Sequence, residues 1–386
     1  MSALLNPITS ESALEGPPLA GEVVVYRGES AHRAAHDHAT CTEIARRVAV
    51  LKGYRFAGDH GEANHGAARR YVVPTSTLVG IDHARALGIH GEDDLFGGVV
   101  PHGFVATKSI SHAVVDALAR TPGGWSTSFG REIEDVVLDG FSAFCTEDAH
   151  RAGVRLLESG PIRIKHALGI GGVGQVAVRD PDQLERALAD VDEDELRDYG
   201  VALEQNLTDV TTYSVGQVRI GDLVATYCGT QSLTRNNHGS MVYGGSTLLV
   251  ARGDFDALLA LDHAASARRA ITQARVYDDA AFRCFHGLFA SRRNYDVAEG
   301  SDANGNRRSG VLEQSWRVGG ATGAEVEALL AFRADPALQA VRAATIERYG
   351  GNVTPPPGAT VYFSGTDPRA GPLSKFTSIE PYVHTR

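Results

Sequence analysis

Glu313-Gln314-Ser315-Trp316-Arg317-Val318-Gly319-Gly320 stands a short distance after an aspartate, Asp296, with a Gly/Asn-rich turn between them. The runs from Asn294 to Val297 and from Gly310 to Glu313 read as short strands, and the intervening Gly300-Ser301-Asp302-Ala303-Asn304-Gly305-Asn306 has the residue types that tight turns need. The spacing predicts a hairpin with the Asp296 and Glu313 carboxylates side by side. Magnesium prefers hard oxygen ligands and takes one or two protein carboxylates plus substrate phosphates, so such a pair is the right supply. The competing reading is a pair of solvated acids on an edge hairpin.

A second constellation lies upstream. Pro161-Ile162-Arg163-Ile164-Lys165-His166-Ala167 has a strand pattern, followed by Leu168-Gly169-Ile170-Gly171-Gly172-Val173-Gly174 and then by Gln175-Val176-Ala177-Val178. Gly169, Gly171 and Gly174 formally fit G-x-G-x-x-G. A dinucleotide-binding unit would need that motif to open a helix at once. Here a second β-rich run comes first, and the helix-like Asp182 to Leu188 only afterwards. The order suits a mobile glycine hairpin closing over phosphates, with Lys165 as the cation. Glycine lets backbone N–H groups approach phosphate oxygens with no Cβ in the way.

With both sites in hand, the chain resembles the ATP-grasp superfamily, and within it an uncharacterised bacterial branch known only as a domain of unknown function. The resemblance spans roughly residues 101 to 320. It implies an α/β fold with α+β lobes: an N-terminal α/β lobe plus two lobes sandwiching a nucleotide. Lys165 before the flap and Lys108, in Ala106-Thr107-Lys108-Ser109, match the phosphate-binding lysines. Leu203-Glu204-Gln205-Asn206-Leu207 stands at the adenine hinge, and Thr212-Tyr213-Ser214-Val215 matches the strand after it. The implied cofactors are ATP and Mg2+. ATP would be held by Lys108, Lys165, Gly169, Gly171, Gly172, Gly174, Glu204, Gln205, Leu207 and Thr212, and the metal by Asp296, Glu313 and Ser315. Ser315 replaces the asparagine of the family's metal motif, and Thr212 the glutamate often found before Ser-Val.

The chemistry implied by the resemblance is ligation, in which the γ-phosphoryl group passes to a carboxylate and an amine or thiol attacks the acyl phosphate. Catalysis then rests on alignment and charge neutralisation. Arg235, in the basic loop Arg235-Asn236-Asn237-His238-Gly239, and Arg317 would face the transferred phosphoryl and acyl oxygens. Arg293 is a further candidate, suited to a bidentate grip on a substrate carboxylate. The expected partner is a small-molecule or peptide carboxylate. Two other readings stay open: an ATP-binding regulator or pseudoenzyme, and a phosphotransferase that leaves the phosphate on its product.

Composition narrows the class. A chain of 386 residues with 43% hydrophobic residues has the length for two or three lobes. A formal charge of -10 argues against nucleic acid. No stretch reaches the roughly twenty apolar residues of a membrane span, and Met1-Ser2-Ala3-Leu4-Leu5 does not read as a signal peptide, so a cytoplasmic location is expected. Cys41, Cys145, Cys228 and Cys284 lack metal or disulfide spacing. Of fifteen histidines, nine (His32, His36, His38, His60, His65, His83, His90, His102 and His112) crowd the first third. On a helix His36 and His38 face apart, so a polar surface is expected there in preference to a metal site.

The chain divides by pattern into a disordered leader (1–20), an N-terminal α/β lobe (21–107), a central lobe with the flap (108–203), a second lobe with the metal hairpin (204–350) and an extended tail (351–386). Strands are expected at 23–26, 54–57, 71–73 and 133–138. Helices are expected at 31–52, 81–87, 146–157, 182–188, 254–261, 265–291 with an interruption near Tyr277, 322–333 and 335–349.

Overall fold

The computed structural model describes residues 20–28, 34–61, 69–169, 174–351 and 353–382. Among them the strands form four sheets. The first is a parallel βαβ layer: β1 (Gly21–Tyr26), α1 (Ala35–Lys52), β2 (Arg55–Asp59) and β3 (Arg69–Pro74), in the order β2-β1-β3. Val23, Val24 and Val25 are fully buried, as a β-branched run in a strand covered on both faces should be. α1 ends where Gly53 takes φ 65°, a left-handed cap that favours glycine. β4 (Leu78–Val79), α2 (Ile81–Ala86) and β5 (Gly98–Val100) follow.

The central lobe carries α3 (Thr127–Glu132), β6 (Gly140–Ala143), α4 (Thr146–Leu157), β7 (Ile162–His166), β8 (Gln175–Val178), α5 (Pro181–Ala189), α6 (Glu193–Tyr199) and β9 (Val201–Gln205). Its sheet order is β6-β9-β7-β8. α4 buries Ala149 and Ala152 in the core with that sheet and Gly153 against Leu184 of α5, and keeps Glu147 and Asp148 in its first turn, where the helix dipole favours them. α5 opens with Pro181, and the Asp180 side chain accepts the Gln183 N–H at 2.8 Å.

The third sheet is large and antiparallel. It draws on β10 (Thr208–Ile220), β11 (Leu223–Arg235), β12 (Met241–Arg252), β14 (Arg292–Ser301), β15 (Arg307–Ser315), β16 (Ala340–Tyr349), β17 (Thr360–Asp367) and β18 (Gly371–Pro381). β13 (Phe289–Ala290) pairs with β5 instead. The order is β15-β14-β10-β11-β12-β16-β18-β17. The helices in this part of the chain are α7 (Phe255–Leu259), α8 (Ala265–Cys284) and α9 (Thr322–Ala334). Strand alternation sends Val215, Cys228, Tyr295 and Val297 into a core with α8, while Tyr227 and Leu248 pack on the other face with α9 and α1.

Four expectations differ from the structure. The segment from Asp335 onward is a strand from Ala340, not a helix. Its Ala and Arg content favours a helix, but Val341, Ala343 and Glu347 are buried in alternation with exposed Arg342, and pairing to β12 and β18 decides the outcome. The segment after residue 350 forms β17 and β18 and extends the sheet, where an extended tail was expected. α8 runs unbroken through Tyr277, whose ring is fully buried with Ala270, Ala274 and Ala281, and it ends at Cys284 short of residue 291, because Phe289–Ala290 pairs with β5. Residues 134–136 form a 3-10 turn, and the strand begins only at Gly140. No helix among the described residues is long and apolar enough to cross a membrane.

Candidate active site

The hairpin of β14 and β15 forms as its sequence dictates. In the turn the Asp302 carboxylate accepts the N–H groups of Asn304 at 2.9 Å and Asn306 at 2.8 Å, and Gly305 takes φ 80°. The register sets Asp296 opposite Glu313 and Asn294 opposite Ser315. All four side chains therefore share one face, and all four line a cleft of about 1250 Å³. Asp296 Oδ1 accepts from Gln231 Nε2 at 2.8 Å, Asn294 Nδ2 at 3.0 Å and Ser214 Oγ at 3.4 Å. Burial and the neighbouring Glu313 carboxylate push Asp296 up to about 6, against the pull of Gln231 and Asn294.

Two lysines reach the same cleft. Lys108 sits in a 3-10 turn pinned to β15: Gln314 Nε2 donates to the carbonyls of Val105 at 2.8 Å and Thr107 at 2.7 Å. Its Nζ lies 3.2 Å from Glu313 Oε2 and donates to Gly169 O at 2.7 Å. Lys165 on β7 is buried, with Nζ 2.5 Å from Glu204 Oε1, and His112 Nε2 lies 3.2 Å from the other Glu204 oxygen. Burial alone would raise the Glu204 carboxyl, yet Lys165 and His112 outweigh it and hold Glu204 below the ordinary range.

β7 and β8 make the antiparallel hairpin expected of a flap, closed by the His166 N–H on Gly174 O at 3.0 Å, with Gly174 at φ 72°. Gly169 lines the cleft, whereas Gly171 and Gly172 lie outside the described residues. Glu204, Gln205, Leu207 and Thr212 line it too. Leu138, Leu207 and Ala298 form an apolar cluster with Leu312 at the hinge end, a surface suited to a flat heterocycle.

The arginines divide. Arg317 lines the cleft and donates to Val318 O at 2.9 Å. Arg235 is exposed at the far end of β11, bonded to Gly239 O at 3.0 Å, on the strand face of Gln231 and Leu233 but beyond the cleft wall. The structure does not bring Arg293 to the cleft. Strand alternation turns it to the α8 face, where it binds Asp278 at 2.8 Å and Gln217 at 2.6 Å. Its neighbour Arg292 faces the cleft side instead, fully buried on Glu325 of α9 at 2.6 Å, and its Nη1 donates to the carbonyls of Ser315 at 3.2 Å and Arg317 at 2.6 Å.

The chain matches a family model described as "Protein of unknown function (DUF3182)" over residues 24–377. It belongs to that family. No curated protein matches this DUF3182 chain. Among solved structures it is similar to the biotin carboxylase domain of 2-oxoglutarate carboxylase from Hydrogenobacter thermophilus, in complex with MgADP, ADP and bicarbonate. The identity there is 12% and the TM-score 0.51, with 93% of this chain and 86% of that one covered. It is also similar to a biotin carboxylase–ATP complex from Campylobacter jejuni, at 11% identity and a TM-score of 0.50, with 93% and 87% covered. The fold of the DUF3182 chain is ATP-grasp.

The donor set in the DUF3182 cleft fits magnesium: two carboxylates, one with its proton affinity raised by burial and by the other, beside the Asn294 amide and the Ser315 hydroxyl. No group of three or more His, Cys, Asp or Glu side chains able to hold a metal occurs among the described residues. His36 contacts Asp37 at 3.1 Å and His38 contacts Asp59 at 3.1 Å, while His32 and His65 lie outside the described residues. Sequence reasoning missed Asn294, Gln231, Ser214, His112 and the Arg292–Glu325 pair. Asn294 was within reach, since i and i−2 share a strand face. Ser214 and Arg292 were too, two residues from Thr212 and from Asn294, whereas Gln231, His112 and Glu325 reach the site through sheet order and helix packing, which no local pattern encodes.

Proposed function

We propose that this protein is an ATP-dependent ligase joining a carboxylate to an amine or thiol through an acyl phosphate. The observation that carries this is one cleft wall with the Asp296/Glu313 pair in register, Lys108 3.2 Å from Glu313, and Lys165 opposite on the flap strand. Lys108 and Lys165 bind the phosphates of ATP. Glu204 orients Lys165 by taking one of its three N–H donors, leaving the others for phosphate oxygens. Asp296 and Glu313 hold magnesium, which when bound supplies neutralisation of phosphate charge. The adenine rests between the hinge, Gln205 to Leu207, and Leu312.

In the first step a substrate carboxylate oxygen attacks the γ-phosphorus, and the bond to the β-phosphate oxygen breaks to give ADP. In the second an amine or thiol attacks the acyl carbon and phosphate leaves. Arg317, on the same wall, faces the oxygens that carry this charge. The cleft lining also includes His36 and Asp37 at the start of α1 and Lys375, which bridges Asp37 at 3.3 Å and Glu347 at 3.1 Å.

Screening carboxylates paired with amines or thiols for ADP production tests the proposal. ADP release that requires both partners supports it, and ADP release with phosphate retained on a single acceptor favours a phosphotransferase. Ser315, a weaker ligand than the asparagine of the ATP-grasp metal motif, favours a second reading, an ATP-binding regulator. Tight Mg-ATP binding without turnover by any pair would select it.

A further inference from the structure

Four oxygen-bearing side chains share the hairpin face, and the neutral two, Asn294 and Ser315, are register partners beside the carboxylate pair. The surroundings of Asn294 carry an imbalance. Its Nδ2 donates to Asp296 Oδ1 at 3.0 Å, and its Oδ1 faces the Tyr227 hydroxyl at 2.9 Å. That hydroxyl also lies 2.6 Å from Glu325 Oε1. Tyr227 is fully buried and has one proton for two acceptors, so one of them goes without it.

A half-turn of the Asn294 amide removes the imbalance. The N–H then donates to the Tyr227 oxygen, and the Tyr227 proton goes to Glu325 alone. The amide oxygen takes the place beside Asp296 Oδ1, at the 3.0 Å now measured to the nitrogen. Two oxygens at that separation repel unless a cation lies between them, and adjacent oxygens of an octahedral magnesium shell stand about 2.9 Å apart.

We propose that Asn294, not Ser315, is the neutral protein ligand of the magnesium held by Asp296 and Glu313, and that its amide turns over when the metal binds. This rests on the magnesium reading above. Without metal the amide N–H joins Gln231 and Ser214 as donors to Asp296. With metal it satisfies Tyr227, whose other partner, Glu325, holds Arg292 on the carbonyls of Ser315 and Arg317. The strand end that carries Arg317 is thereby tied to the same network as the ligand.

The test is Mn2+ binding to the protein–ADP complex, followed through the EPR signal of free Mn2+. Asn294→Leu should weaken binding at least about tenfold, the lower end of what loss of even an outer-shell partner costs, and Ser315→Ala by less than about threefold. Asn294→Asp keeps an oxygen donor and adds charge, and the Tyr227 proton can turn to its second oxygen while Arg292 keeps Glu325, so it should bind Mn2+ at least as tightly as the parent. If the amide merely supports Asp296 through its N–H, Asn294→Asp sets two carboxylates against each other and binds more weakly than the parent. That result, or a greater loss in Ser315→Ala than in Asn294→Leu, overturns the assignment. If Asn294→Leu does not fold, Asn294→Ala, which also removes the oxygen donor, is read in its place with the same expected loss. A parent that shows no ADP-dependent Mn2+ binding overturns the magnesium reading itself.

Discussion

Replacing Lys165 by Met should do more than weaken nucleotide binding. Lys165 and Glu204 are each 2% exposed and 2.5 Å apart, so the substitution strands a carboxylate inside the central lobe with His112 as its remaining partner. Breaking a buried pair by removing one member costs about 3–5 kcal/mol. An independent bound comes from protonation. Keeping a glutamic acid neutral at pH 7, against an ordinary value near 4.3, costs about 3.7 kcal/mol, and at pH 5 about 1 kcal/mol. In the parent, Glu204 is held below its ordinary value, so its contribution is present above about pH 4.3 and is lost as pH falls through the lower folded value. In Lys165→Met the sign reverses, because the stranded carboxyl titrates above its ordinary value and the deficit grows as pH rises. Urea unfolding should therefore show Lys165→Met less stable by about 3–4 kcal/mol at pH 7 and by about 1 kcal/mol at pH 5. The double variant Lys165→Met/Glu204→Gln should regain most of the loss without regaining ATP affinity. A Lys165→Met protein as stable as the parent at pH 7, or a deficit independent of pH, would refute the buried-pair reasoning.

Four further outcomes follow from the site. Glu313→Gln keeps shape but loses an anionic ligand, so it should bind ATP within about tenfold of the parent and lose at least about a hundredfold in single-turnover ADP formation. Burial and the Glu313 carboxylate push Asp296 up to about 6, above its ordinary value, so without metal it destabilises increasingly as pH rises from about 4 to about 6. Asp296→Asn should match the parent near pH 4 and exceed it by about 2–3 kcal/mol at pH 7 in metal-free urea unfolding. Arg292→Met leaves Glu325 buried and should cost about 3–5 kcal/mol in the same assay, whereas Arg235→Ala, at an exposed strand end, should stay within about 0.5 kcal/mol.

Much of this site was legible in the sequence because its parts are local. A turn rich in Gly, Asn and Asp between two short strands is enough to place Asp296 against Glu313. A strand, a glycine run and a second strand are enough to form the hairpin that carries Lys165. Face assignment was harder. Arg293 and Arg292 are both cationic and adjacent, and only the alternation fixed by the buried Tyr295 and Val297 tells which one meets the cleft side and which meets Asp278. Partners brought in by sheet order were out of reach: Gln231 arrives from β11, two strands away from β14, and Glu325 from α9. The strand at 340–349 misled for a different reason, since its Ala and Arg residues favour a helix and only its neighbours β12 and β18 supply the competing hydrogen bonds.

The most direct test is nucleotide-dependent stabilisation of the parent, measured by thermal unfolding with Mg-ATP, ATP alone and NAD. Selective binding to the folded cleft predicts stabilisation by Mg-ATP of about 2.7 kcal/mol at a hundredfold excess over the dissociation constant, less with ATP alone and none with NAD. Stabilisation by NAD with none by Mg-ATP would contradict the assignment of this cleft to a magnesium nucleotide.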